Sequence, residues 1–129
     1  MKDFDDFVGI EILEVKGNEG FARVKLKEES LNAIGTVHGG LIMTLADTVS
    51  GNLLAKSTGR VGTTAQSSLN FLRPCFGGEY LYGKASILKE GKNLSTVSTE
   101  ITDDDGRLIA TSTFVFFHLN KDIELNKDI

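Results

Sequence analysis

The sequence predicts an α+β fold in which an antiparallel sheet curls around one long buried helix. Three observations carry that reading. Two short segments alternating apolar with polar residues come first, a single long apolar run fills residues 41–55, and residues 61–119 read as consecutive strands broken at turn residues. A helix that is apolar over most of its circumference has to be covered, and a flat sheet covers one side only. With 129 residues, 40% hydrophobic content and one proline, the chain has room for a single domain, its core over about 8–119.

The first strand is expected over residues 8–16, where apolar and polar residues partly alternate, and Gly17-Asn18-Glu19-Gly20 supplies the turn. Residues 21–27 alternate at period two and complete a hairpin. In the apolar run, Leu41, Leu45, Val49 and Leu53 recur every fourth residue, and Ile42, Met43, Ala46, Leu54 and Ala55 widen the stripe. The helix should stop near Ser57-Thr58-Gly59, because glycine suits the left-handed stop.

Beyond Arg60, Val61, Ala65, Leu69 and Phe71 fall on one face of a strand, with Thr64, Gln66, Ser68 and Asn70 on the other. Pro74, Gly77 and Gly78 end it. Strands follow over 79–89, 94–102 and 107–119, separated by Glu90-Gly91-Lys92-Asn93 and by the strong hairpin signal Asp103-Asp104-Asp105-Gly106. The repeated quartets at 120–123 and 126–129 read as a frayed polar tail.

Bulk properties exclude several classes of function. A net charge of −4 argues against a broad nucleic-acid surface, which draws on clustered positive charge. The acidic start Met1-Lys2-Asp3-Phe4-Asp5-Asp6 is unlike a signal peptide, and no apolar run reaches membrane-span length. One cysteine, Cys75, makes no internal disulfide, and two histidines far apart make no metal site. No Walker or dinucleotide glycine loop is present. The expectation is a cytoplasmic protein with no metal, cofactor, nucleic acid or membrane.

Asp47 is the single charged residue between His38 and Lys56. A carboxylate in so apolar a segment is expensive to keep unless it is hydrogen-bonded or used. Two readings stand: a chemical group, or a structural acid bonded to Thr44, Thr48 or Ser50. Gly39-Gly40 sits where the helix begins, so unpaired N–H groups and the positive end of the helix dipole could receive a carbonyl oxygen developing negative charge. The bland alternative is a tight turn. Asp47 lies eight residues past Gly39, roughly 12 Å along a helix, too far for both to act on one carbonyl group. If both serve one site, they come from different copies of the chain, related by a two-fold axis. His38 reads equally as a helix cap, Asn32 as a turn residue, Thr64 as a strand hydroxyl and Cys75 as inert.

Taken together, Asn32, Gly35, Thr36, His38-Gly39-Gly40, Leu45-Ala46-Asp47, Asn70-Phe71-Leu72-Arg73-Pro74, Gly91-Lys92 and Asp105-Gly106 form one signature. Over roughly residues 8–117 it resembles the hotdog-fold acyl-CoA thioesterases of the phenylacetate-pathway type. The resemblance implies a hotdog fold, a homodimer that pairs its sheets, and a homotetramer of two such dimers. It implies that Asp47 is the nucleophile or the base that activates water. Gly39, helped by Gly40, would donate to the thioester oxygen from the opposite subunit. Asn32 would set a polar amide near the reacting group, His38 would hold the thioester or the helix start, and Thr64 would position water. Coenzyme A is then part of the acyl-CoA substrate, with Arg73, Lys89 and Lys92, the turn at Gly91, and also Arg60 and Lys84 as candidates for its phosphates.

The products would be a free acid and coenzyme A. A hotdog hydratase or dehydratase fits less well, since its histidine normally precedes Phe-Pro and its acid is usually glutamate. A non-catalytic acyl-CoA binding module is the rival from another class; it gains little from a buried carboxylate. The acyl group would be set at the dimer seam by residues such as Val49, Leu53, Phe71 and Leu72.

Overall fold

The computed structural model describes residues 2–119, so the tail expected over 120–129 lies outside the described residues. A short helix α1 (Phe4–Val8) precedes the hairpin of β1 (Ile10–Lys16) and β2 (Glu19–Lys25). A 3-10 turn (Glu28–Ser30) and a loop lead into the long helix α2 (Gly39–Thr58). Then come β3 (Gly62–Phe71), β4 (Tyr80–Glu90), β5 (Leu94–Thr102) and β6 (Leu108–His118). The strands form one antiparallel, curved sheet in the order β1-β2-β4-β5-β6-β3, with β1 and β3 at its edges.

Helix α2 is one turn longer at its end and one residue pair longer at its start than the apolar run alone indicates. His38 caps it, and Gly59 ends it in the left-handed conformation at φ 72°. Ile42, Leu45, Ala46, Val49, Ser50, Leu53 and Leu54 are buried, which is a continuous i, i+3, i+4 stripe laid on the sheet. Leu45, Leu53, Leu81, Val97, Ile101 and Ile109 are wholly buried where the two layers meet. Each such side chain contributes roughly 1.5–3 kcal/mol relative to exposure. The helix approaches closely because Gly20 lies beneath it; a Cβ there would stand 2.9 Å from Leu53 Cβ.

Two features were not foreseen, and one expectation, the face of Thr64, needs correction. The sheet does not cover α2 all round: Thr44, Asp47, Thr48, Gly51, Asn52 and Ala55, the opposite stripe, are only half-buried and line a cleft. The acidic start folds into α1, which is begun by a capping box between Asp3 and Asp6 and stopped by Gly9 at φ 91°. Strand β3 is not regular. Its register against β6 shifts between Thr64 and Gln66, so Thr64 pairs with the buried Phe116 while Gln66 pairs with Val115. The bulge puts Thr64 on the same face as Leu69 and Phe71, which plain alternation assigns to the opposite face.

Among the described residues, no helix is long and apolar enough to cross a membrane.

Candidate active site

The helix start is built by its cap. His38 sits in extended backbone (φ −61°, ψ 133°), and its Nδ1 accepts the Gly40 N–H at 2.8 Å. A ring accepting at Nδ1 is neutral with its proton on Nε2, which leaves a donor on the other edge. Gly40 N–H is thereby used, whereas Gly39 N–H has no acceptor among the described residues. One of the two expected backbone donors is therefore free and the other is engaged.

The loop ahead of the cap is pinned from both sides. Val37 N–H donates to Cys75 O at 2.8 Å and His38 N–H to Ser30 O at 2.9 Å. Asn32 holds the loop from within: its Oδ1 accepts the N–H groups of Ile34 (3.1 Å) and Thr36 (3.0 Å), and its Nδ2 donates to Thr36 Oγ1 at 2.7 Å. The side chain is spent on ordering residues 32–36. In this chain Asn32 does what a turn asparagine does.

Asp47 projects from the uncovered stripe of α2. Thr64 Oγ1 donates to its Oδ1 at 2.6 Å, a contact the β3 bulge makes possible. Burial pushes the Asp47 carboxyl above its ordinary value; the Thr64 hydrogen bond opposes the rise, and the negative charge of Asp5 adds to it. Neither Thr44 nor Ser50, the structural partners foreseen for Asp47, bonds to it: they donate to Gly40 O (2.8 Å) and Ala46 O (2.7 Å). Thr48 Oγ1 donates instead to Asp5 Oδ1 at 2.7 Å. The cleft in front of Asp47 encloses about 500 Å³ between α2, α1, β1 and the start of β3.

Gly39 and Asp47 lie on one continuous helix, so their separation stays roughly 12 Å along its axis. The ring of Phe71 rests over the helix start, 3.1 Å from where a Gly39 Cβ would be.

The basic residues do not converge within a chain. Arg73 follows the end of β3 near the helix start, while Lys89, Gly91 and Lys92 sit at the β4–β5 turn, roughly 30 Å away along the sheet. Arg60 clamps that turn, donating to Gly91 O (3.0 Å) and Lys92 O and pairing with Glu90 (3.3 Å). Gly91 N–H donates to Ser95 Oγ at 3.1 Å. Lys84 pairs with Glu19 at 3.3 Å on the exposed sheet. Arg73 forms no ion pair among the described residues, which also contain no cluster suited to a metal ion.

Sequence reasoning missed Asp5 at this site, and it paired Thr48 with Asp47 where the structure pairs it with Asp5. The Asp3-x-x-Asp6 capping pattern ahead of Gly9 was a local signal for α1, but nothing local shows that the helix folds back over residue 47.

Residues 34–110 match the thioesterase superfamily. The chain belongs to that superfamily. Human acyl-coenzyme A thioesterase 13 is 34% identical over 112 residues, which are 84% of this chain and 80% of the human one. A hypothetical thioesterase from Streptococcus pneumoniae TIGR4, solved with coenzyme A, superposes with a TM-score of 0.79 at 32% identity over 86% of each chain. The protein smu.793 from Streptococcus mutans UA159, solved bound to acetyl CoA, gives 0.82 at 28% identity over 94% of each. The superfamily member described above is thus a thioester hydrolase with the hotdog fold. His38, Gly39, Asp47 and Thr64 all fall within the matched span, whereas Asn32 and Asp5 precede it.

Proposed function

We propose that this protein hydrolyses acyl-CoA thioesters to a free acid and coenzyme A, at a site completed by two copies of the chain. One observation carries the reading: Asp47 stands in an open cleft, held at one oxygen by Thr64, while the Gly39 N–H at the start of the same helix has no acceptor among the described residues. The thioester carbonyl oxygen accepts from Gly39 of one copy, where the N–H and the helix dipole favour the charge that develops on it. Asp47 of the other copy attacks the carbonyl carbon or takes a proton from the water that does. By direct attack the C–S bond breaks to leave a mixed anhydride on Asp47, which water hydrolyses to the free acid and the regenerated carboxylate. By the base route water adds to the carbonyl carbon and its oxygen enters the acid as the C–S bond breaks. In both, the thiolate leaves and takes up a proton as coenzyme A.

The fold supports the pairing. Strand β3 is an edge with most of its residues exposed, and it flanks the half-covered stripe of α2 that carries Asp47. A second copy across that edge would cover both. The same two-fold axis would bring Arg73 of one copy toward the β4–β5 turn of the other, so that Arg73, Lys89 and Lys92 share the phosphates of one coenzyme A. Two such dimers make the tetramer, with the cytoplasm as its compartment. The two streptococcal proteins solved with coenzyme A or acetyl CoA give the ligand class its support.

A thiol-release assay over short, long and aryl acyl-CoAs tests the reading. Asp47→Ala is expected to lose about 10²–10⁴-fold in turnover on the best of them. Normal turnover by Asp47→Ala, or tight acyl-CoA binding by the wild type without thiol release, would overturn it.

A further inference from the structure

Helix α1 has only five residues, too few to be stable alone, and none of them is buried. Phe4 and Phe7 leave 62% and 80% of their surface exposed, so the core makes no use of their rings. Two contacts tie α1 to the body: Val8 at its end packs against the core, and Asp5 accepts a hydrogen bond from Thr48, the residue next to Asp47. Through them, Asp3, Phe4 and Asp5 become one wall of the Asp47 cleft. Among the described residues lining that cleft, the titratable groups are Asp3 and Asp5 from α1 and Asp47 from α2, while β1, β3 and β6 present none. Asp5 and Asp47 thus bring two carboxylates to the lining of the space an acyl group would enter, with no cation among the described lining residues. Its far side is apolar, formed by Ile12, Ala55, Val61 and Phe116.

We propose that Asp5 is a specificity-determining residue of this site: latched to Thr48, it holds α1 as a wall of the cleft, and its charge turns away acyl groups that end in a carboxylate. The substrate class is then uncharged acyl groups. The inference rests on the thioesterase reading and adds to it. A carboxylate brought into a half-buried, acid-lined cleft loses solvation and gains repulsion, whereas a methyl terminus suffers neither. The Asp5 charge also adds, behind burial, to what holds the Asp47 carboxyl above its ordinary value.

Hexanoyl-CoA and adipoyl-CoA differ at the chain end by one carboxylate, and their kcat/KM ratio is the readout. The wild type is expected to favour hexanoyl-CoA by at least about tenfold, in keeping with the effect of opposed like charges. Asp5→Asn keeps an oxygen for Thr48 while removing the charge, and should narrow the ratio by about threefold or more. Equal use of both substrates by the wild type, or discrimination that survives Asp5→Asn unchanged, overturns the inference while leaving the thioesterase reading standing. Equal use of both substrates by the wild type overturns it even if the variant folds poorly. No hydrolysis of any acyl-CoA overturns the thioesterase reading, and this inference falls with it.

Discussion

At the scale of single residues, Asp47 is held against its own solvation. The folded chain binds the Asp47 proton more tightly than the unfolded chain does, because burial and the Asp5 charge outweigh the Thr64 hydrogen bond. The sign of the linkage follows. This group favours folding below the unfolded carboxylate value, and that advantage is lost as pH rises through the folded value. Asp47→Asn removes the titration and keeps an oxygen for Thr64. It is therefore expected to be at least as stable as the wild type at neutral pH, with the stability difference growing from acid to neutral, while turnover is lost. Urea midpoints at acid and neutral pH check this; a variant less stable than the wild type at neutral pH would mean that the carboxylate serves the fold. His38 and Asn32 show the opposite economy, since each satisfies backbone groups around the helix start.

At the scale of elements, α2 does two jobs at two points along its length: its first residue offers an N–H and its third turn carries the acid. Gly39 is the first helical residue, where proline is well tolerated, and His38 before it already has the extended backbone that proline requires. Gly39→Pro is expected to leave the helix formed, with the exposed Phe71 ring yielding to the new carbons, and to reduce turnover by about 10²-fold through loss of the N–H. Circular dichroism and thiol release measure the two halves of that statement. Unchanged turnover in a folded variant would remove Gly39 from the chemistry.

The same helix shows what was legible in the sequence. Its apolar repeat and Gly59 gave its position, and the turn residues at 17–20, 90–93 and 103–106 gave the hairpins, because these signals are local. Asp47 stood out as the lone charge of the run. Thr64 entered through family resemblance, while strand alternation placed it on the wrong face. A bulge at Ala65 is decided by pairing with β6, which no local pattern reports. The docking of α1 over Asp47 was hidden for the same reason: it depends on Thr48, some forty residues away.

At the scale of the whole molecule, one chain brings together Asp47, Thr64, Thr48 and Asp5 but keeps Gly39 at a distance fixed by helix geometry. The open edge of β3 and the half-covered stripe of α2 lie where a second copy would complete both the sheet and the site. A shared site makes a demand that no single-chain site makes. Asp47→Ala keeps a good helix start and Gly39→Pro keeps a good acid, so a mixed dimer of the two contains one intact site and one doubly broken site. Mixing the two inactive variants in equal amounts under conditions of subunit exchange, and assaying thiol release, should restore about a quarter of wild-type activity, since half the dimers are mixed and each has one working site. Mixed dimers that form and stay inactive would show that Gly39 and Asp47 do not meet across two chains.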